Sequence, residues 1–330
     1  MNVAPVKKRI SSETLGFCFA LCSALCYTVS LSSMRGITNF PQVSPDWSLA
    51  VKELTCVAIV LPFIITQYIR GKYKFPKLSA FLGLVLAGIS CEVVGSRPHL
   101  FAYACIGLAL ASPLIQAAQL IFSSIVGSVW LHERVTKSKL VALGLLIVAV
   151  WLLSQTGDGS GSIAGSEMKL GIGIFWTLCT AIGYCGQLSI MRRVMRLETP
   201  EEAESRKSEG KESTKAPCPT SLAMVTITGV GVIACGLIFT FQHGVHAWVE
   251  PPAECWRYVL TAGIANTCGF FCQIESIKRL YVLKQALIAT AQTATLCLFG
   301  VFLFGEPFDL NAALGVGLVM AGVIVSALSK

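Results

Sequence analysis

Charge is scarce in this chain: Asp, Glu, Lys and Arg together make up 13% of the residues, where a soluble domain carries about a quarter. So little charge excludes a water-facing fold for most of the length. Histidine is rarer still, at positions 99, 132, 243 and 246, and none has a catalytic spacing with an acid. No CxxC pair occurs among the 14 cysteines, so the usual zinc and dithiol motifs are absent. Most cysteines lie inside apolar runs, as Cys18, Cys22 and Cys26 do, and read as small packing residues. No metal and no cofactor is expected. No GxxxxGK[ST] loop is present, so there is no phosphate cradle for ATP-driven work.

What fills the chain instead is hydrocarbon. Of 330 residues, 54% are hydrophobic, and the mean hydropathy is +0.68. A membrane-crossing helix takes about 20 apolar residues. Ten such runs stand at about 14–34, 48–69, 79–103, 110–131, 138–154, 169–191, 220–241, 257–278, 284–304 and 309–328. Lipid offers no backbone hydrogen bonds, so each run must be a helix or part of a closed barrel. The runs are too long, and too apolar on all sides, for alternating barrel strands. The first run follows Lys7, Lys8 and Arg9; its length and the many later spans make it an uncleaved first helix.

The net charge of +8 does not indicate nucleic acid, because the basic residues sit in short loops between apolar runs. They sort by side. With the N-terminus inside, 21 Lys and Arg fall in inside loops and 4 outside, at Arg35, Lys52, Lys169 and Arg257. Arg97 lies within a span. The positive-inside rule therefore puts both termini in the cytoplasm of a cell-membrane protein. Residues 155–168 form a Gly- and Ser-rich outside linker, and 193–218 a mixed-charge, Pro-containing flexible cytoplasmic loop.

The linker separates two similar halves, 1–154 and 169–330. Residues 22–35, CSALCYTVSLSSMR, match 179–192, CTAIGYCGQLSIMR, at seven of fourteen positions. Ala87, Gly88 and Ile89 match Ala262, Gly263 and Ile264 at an offset of 175. The turn Leu131, His132, Glu133, Arg134 matches Phe304, Gly305, Glu306, Pro307 at an offset of 173. Five helices is an odd number, so the second copy enters from the opposite side. The fold class is all-α integral membrane: ten transmembrane helices as two inverted five-helix repeats, a transporter architecture.

A stretch from 106 to 153 carries a resemblance. Ala109, Ala111 and Ser112 precede Pro113; a helix, the Glu133 turn and a Gly-containing helix through Gly144 follow. The second half repeats this from 286 to 328, with Glu306 in the turn and Gly315 to Gly322 in the last helix. The pattern resembles the EamA-type permeases of the drug/metabolite transporter superfamily. That resemblance implies two inverted five-helix units, each with a Glu-containing turn between its fourth and fifth helices. It also implies export or uptake of small metabolites without ATP. The third span departs from it, with Glu92, Arg97 and His99.

An ionisable group at mid-membrane costs from about 2.5 kcal/mol upward and normally faces a cavity or a partner. Glu92, about 20 Å into its span at 1.5 Å per residue, suits a proton-coupling carboxyl. A structural pair with Arg97 is the alternative, although i, i+5 places the two far apart around a regular helix. Arg97 suits an anionic substrate or snorkels to headgroups. His99 reads as interfacial. Tyr27 and Tyr184 are mid-span equivalents that line a pocket or pack between helices. Gln116, Gln119, Gln187, Asn266 and Gln292 line a cavity or join helices. Lys52 and Glu53 read as a gate or an interfacial anchor, Glu275 as a helix-end partner of Arg279, and Glu133 and Glu306 as architectural turn residues at helix starts.

The function expected is secondary transport of a small metabolite by alternating access, with proton coupling through Glu92. The alternatives are a membrane-embedded transferase and a non-transport scaffold. The partners expected are a small molecule and the bilayer, not nucleic acid; a homodimer is compatible with everything above. Substrate and direction of transport stay open.

Overall fold

The computed structural model describes residues 12–71, 76–130, 170–195, 219–279, 282–306, 308 and 310–328, with isolated residues between 141 and 152. The helices are α1 (Ser12–Ile37), α2 (Pro45–Ile69), α3 (Leu78–Gly88), a π-helical segment (Ile89–Ser96) and α4 (Arg97–Trp130). After these come α5 (Leu170–Met195), α6 (Thr220–His243), α7 (Ala253–Ile277), α8 (Val282–Phe304) and α9 (Leu310–Leu328). Among the described residues there is no strand. This is an all-α membrane protein. Five stretches are long and apolar enough to cross a bilayer: Thr14–Ile37, Pro45–Ile69, Leu78–Ser123, Leu170–Met195 and Thr220–His243. Large apolar side chains such as Phe241 and Phe302 lie at the surface, 87% and 80% exposed. In water that would be costly; in lipid it is neutral.

Local sequence sets the helix ends. Ser44 caps α2, its Oγ accepting from the Asp46 N–H, and Pro45 occupies the first turn. The stretch from 78 to 123 is too long for one crossing. It divides at Gly107, whose φ of 77° and ψ of 174° no helix contains. The break separates the spans expected at 79–103 and 110–131. The fifth expected span, 138–154, the linker at 155–168 and Glu133 lie outside the described residues, apart from the isolated helical positions. Helix α5 continues to Met195, three residues into the loop expected from 193; 196–218 lie outside the described residues.

α1 packs along α7, α4 along α5 and α2 along α6, so every major contact joins the first half of the chain to the second. The interior divides into two apolar clusters. One contains Leu49, Ala50 and Val51 of α2, Leu100 and Ala102 of α4, Cys235 and Phe239 of α6, and Val259 and Ala262 of α7. The other contains Cys56 and Val60 of α2, Leu84 of α3, Cys91 of the π segment, Met224 and Ile227 of α6, and Phe270 and Ile274 of α7. Between the two runs of each helix lies a polar or glycine position: Lys52 and Glu53 on α2, Glu92 before α4, Gly231 on α6, Asn266 on α7. A polar belt thus crosses the middle of an apolar bundle.

Candidate functional site

Glu53 and Glu92 are the centre of that belt, 1% and 3% exposed. A Cβ built on Gly231 would stand 2.8 Å from Glu92 Cγ and 3.0 Å from Glu53 Cγ, so both carboxylate side chains rest on the same bare patch of α6. Glycine is required there because any side chain would displace them. Lys52 Nζ lies 2.6 Å from Glu53 Oε1. That oxygen has no aligned hydrogen-bond donor, and neither does Glu92 Oε2. Asn266 Nδ2 is 3.5 Å from Glu53 Oε2. Burying unsatisfied carboxylate oxygens is costly, and such groups concentrate where a ligand or an ion belongs.

Glu92 sits within the eight-residue π-helical segment, where the Arg97 N–H bonds back to the Glu92 carbonyl. π segments widen the helix and are common at functional sites. This one is pressed against α5. Ser90 Oγ donates to the Gly183 carbonyl at 2.8 Å, and Gly183 lies against the Gly95 backbone with no room for a Cβ.

The two tyrosines occupy equivalent places. Tyr27 donates its hydroxyl to Gln273 Oε1 at 2.9 Å. Tyr184 Oη lies 2.8 Å from His99 Nδ1. His99, expected at the membrane interface, is buried within the protein at 6% exposure, its ring tilted against that of Tyr103 with centroids 4.3 Å apart. Arg97 does not pair with Glu92. It forks onto Asp46, Nε to Oδ1 at 2.6 Å and Nη2 to Oδ2 at 3.0 Å. Lys52, read as part of a gate or an interfacial anchor, is buried too. Gln116 and Gln119 on α4, Gln187 on α5 and Gln292 on α8 are half-buried. The structure joins Lys52 and Asn266 to Glu53, sets Glu92 beside Glu53 over Gly231, and holds Tyr27 and Tyr184 in separate hydrogen-bonded pairs.

A second charged cluster lies where α1 ends. Arg35 Nε donates to Glu306 Oε1 at 2.8 Å, with the side chains 3% and 4% exposed. The same carboxylate accepts the Leu108 N–H at 2.8 Å and the Ala109 N–H at 2.7 Å. Those are the first free N–H groups after the break at Gly107, where a helix N-terminus favours an anion. Glu306 thus stands at a helix start as expected, but at that of the 108–130 half of α4 rather than of the helix that follows it. At the end where α7 finishes, Glu275 bonds Lys278 and Arg279 at 2.8 and 2.5 Å, the helix-end pair expected. Among the described residues no group of three His, Cys, Asp or Glu is placed to hold a metal.

The profile of the EamA-like transporter family matches this chain over residues 14–155 and 215–328. The chain belongs to the EamA-like transporter family. A solved structure described only as "Crystal structure of protein" is similar over 97% of this EamA-like chain and 98% of its own, at a TM-score of 0.56 and 16% identity. At that identity the likeness concerns the fold alone. No curated protein matches the chain. Sequence reasoning passed over Asp46, Gln273 and Gly231 in this EamA-like protein and read Glu53 as peripheral. Ser44, Pro45 and Asp46 form a recognisable helix start, which was the available signal for Asp46. Nothing local marks Gly231 or Gln273, whose roles depend on which helix lies opposite.

Proposed function

We propose that this EamA-like protein is a secondary transporter that moves a small solute across the cell membrane by alternating access, coupled to protons through Glu92. The observation that carries the reading is the buried Lys52, Glu53 and Glu92 cluster between two apolar layers, at the junction of the two halves. A purely structural bundle has no use for ionisable groups at that depth.

A two-fold relation between the halves supports it. Tyr27 reaches α7, the third helix of the second half; its equivalent Tyr184 reaches His99, on the third span of the first. Gly88 presses on Val230 of α6, and its equivalent Gly263 presses on Thr55 of α2. The two glycines and the two residues they touch are both related by 175 positions. On this reading the halves have five helices each in opposite orientations, giving a bundle of ten spans. Exchanging the two arrangements opens a central site to one side and then the other.

The excess of Lys and Arg in one set of loops supports both termini being cytoplasmic. The Arg35–Glu306 and Asp46–Arg97 contacts then close the outer end, and their separation opens it. Glu275 with Lys278 and Arg279 lies at the inner end.

The test is flux into proteoliposomes holding the purified full chain, over a panel of small metabolites, with and without a pH gradient. The reading expects at least one solute to cross faster than in protein-free vesicles and to respond to the gradient. A panel spanning amines, amino acids, organic acids, sugars and nucleosides with no protein-dependent flux would overturn it.

A further inference from the structure

The offset of 175 that relates Gly88 to Gly263 also relates Cys56 to Gly231, Glu53 to Thr228 and Glu92 to Thr267. The contacts obey the same relation. Gly231 rests on Glu53 and Glu92, and Cys56 lies beside Thr228 and Thr267. The equivalent three-helix junction is therefore built from two threonines of the second half and a thiol of the first. Those threonines are satisfied within their own helices: Thr228 donates to the Met224 carbonyl at 2.8 Å and Thr267 to the Gly263 carbonyl at 2.7 Å. Packing at this junction does not need carboxylates. Where they occur, Glu92 Oε2 is left without a hydrogen-bond donor, and Glu53 Oε1 rests against the Lys52 ammonium at 2.6 Å.

The charges of the site do not balance. Among the described residues two carboxylates face one ammonium, Lys52, whose counterpart in the other half is the apolar Ile227. One negative charge is in excess in a region where an isolated charge is costly. A single positive charge from outside the protein restores neutrality. Asn266, 3.5 Å from Glu53, adds an amide to the same wall.

We infer that Glu53 and Glu92, packed over Gly231, bind one monovalent cationic group, and that the transported solute carries a positively charged nitrogen. Movement of that solute rests on the proposed transport function; its binding does not. Exchange of such a solute for one proton leaves the charge of the site unchanged, so transport is electroneutral: it follows a pH gradient and ignores membrane voltage.

The test uses the full-length protein in detergent, with methylammonium and choline as cations, acetate as anion and glycerol as neutral control, each up to about 100 mM, a range that reveals even millimolar affinity. Thermal protection is the readout. Methylammonium or choline is expected to raise the midpoint, and acetate and glycerol to leave it unchanged. The comparison variant copies the other half: Glu53→Thr, Glu92→Thr and Gly231→Cys together. It is expected to fold and to lose cation protection by at least about tenfold in apparent affinity, the effect of removing about 1.4 kcal/mol. If the triple variant does not fold, Glu92→Gln serves in its place with the same expectation. Protection by acetate, protection by neither cation, or undiminished protection in the folded variant overturns the inference. Cation protection without flux in vesicles would leave the site standing and remove the transport reading instead.

Discussion

Arg35 and Glu306 lie 271 positions apart in the chain and form a buried ion pair, Nε to Oε1 at 2.8 Å. The pair ties the end of α1 to the turn after α8. Glu306 also caps the half of α4 that follows Gly107. Its carboxylate therefore serves three donors on two other segments. Arg35 has further partners of its own, Thr38 Oγ1 at 2.7 Å and Asn39 Oδ1 at 2.9 Å, both accepting from Nη1.

The two members of the pair are thus unequal. Glu306→Ala removes the counter-charge and leaves two N–H groups without their acceptor. Arg35→Ala leaves Glu306 with both N–H donors. Breaking a buried pair costs about 3–5 kcal/mol, and the glutamate variant is expected to lose more stability than the arginine variant. Thermal unfolding in detergent orders the two, and the reverse order would contradict the capping role.

Gly107 faces this carboxylate. Its φ of 77° disfavours any other residue, and a Cβ there would lie 2.7 Å from Glu306 Cδ. Gly305, with φ of 60°, meets nothing within 4 Å. Gly305→Ala pays the left-handed backbone alone, about 1–2 kcal/mol. Gly107→Ala pays that and displaces the carboxylate, so it is expected to be clearly the worse of the two in the same unfolding measurement.

Arg97 is occupied by Asp46 rather than turned to the belt. With the guanidinium about a third exposed, the pair is worth about 1 kcal/mol. Arg97→Ala is expected to lower stability by that order and to leave the solute preference of transport unchanged. A changed preference in a flux panel would return Arg97 to the site.

The proposed orientation puts residues 39–42 outside and the C-terminus inside. A short epitope inserted at 39–42 is expected to be reached by antibody on intact cells, and one after Lys330 only once the cells are permeabilised. The opposite pattern would invert the orientation and with it the assignment of the Arg35–Glu306 end.

The apolar runs, and through them most of the helices, were legible in the sequence because lipid leaves the backbone few alternatives. The break near 107 was legible as the gap between the runs at 79–103 and 110–131. Tyr27 and Tyr184 were legible as equivalents from the motif around each, but not their partners Gln273 and His99. Partners depend on which faces meet, and hydropathy that is apolar all round does not rank the faces of a helix. The same limit hid Glu53. One turn below the start of a long helix it reads as interfacial, and only the α2–α6 packing buries it against Gly231. The pairing of Arg97 with Asp46 was missed because the two lie 51 residues apart, beyond any local rule.

Gradient-driven flux by the Glu92→Gln variant tests the central claim most directly. The full chain and the variant are reconstituted in parallel with a solute the full chain transports, and uptake is followed with an imposed pH gradient and as solute–solute exchange without one. The account predicts that the variant loses gradient-driven accumulation and retains exchange once the solute concentration is raised to match its weakened affinity. Full gradient-driven accumulation by Glu92→Gln would contradict proton coupling through the buried carboxylates.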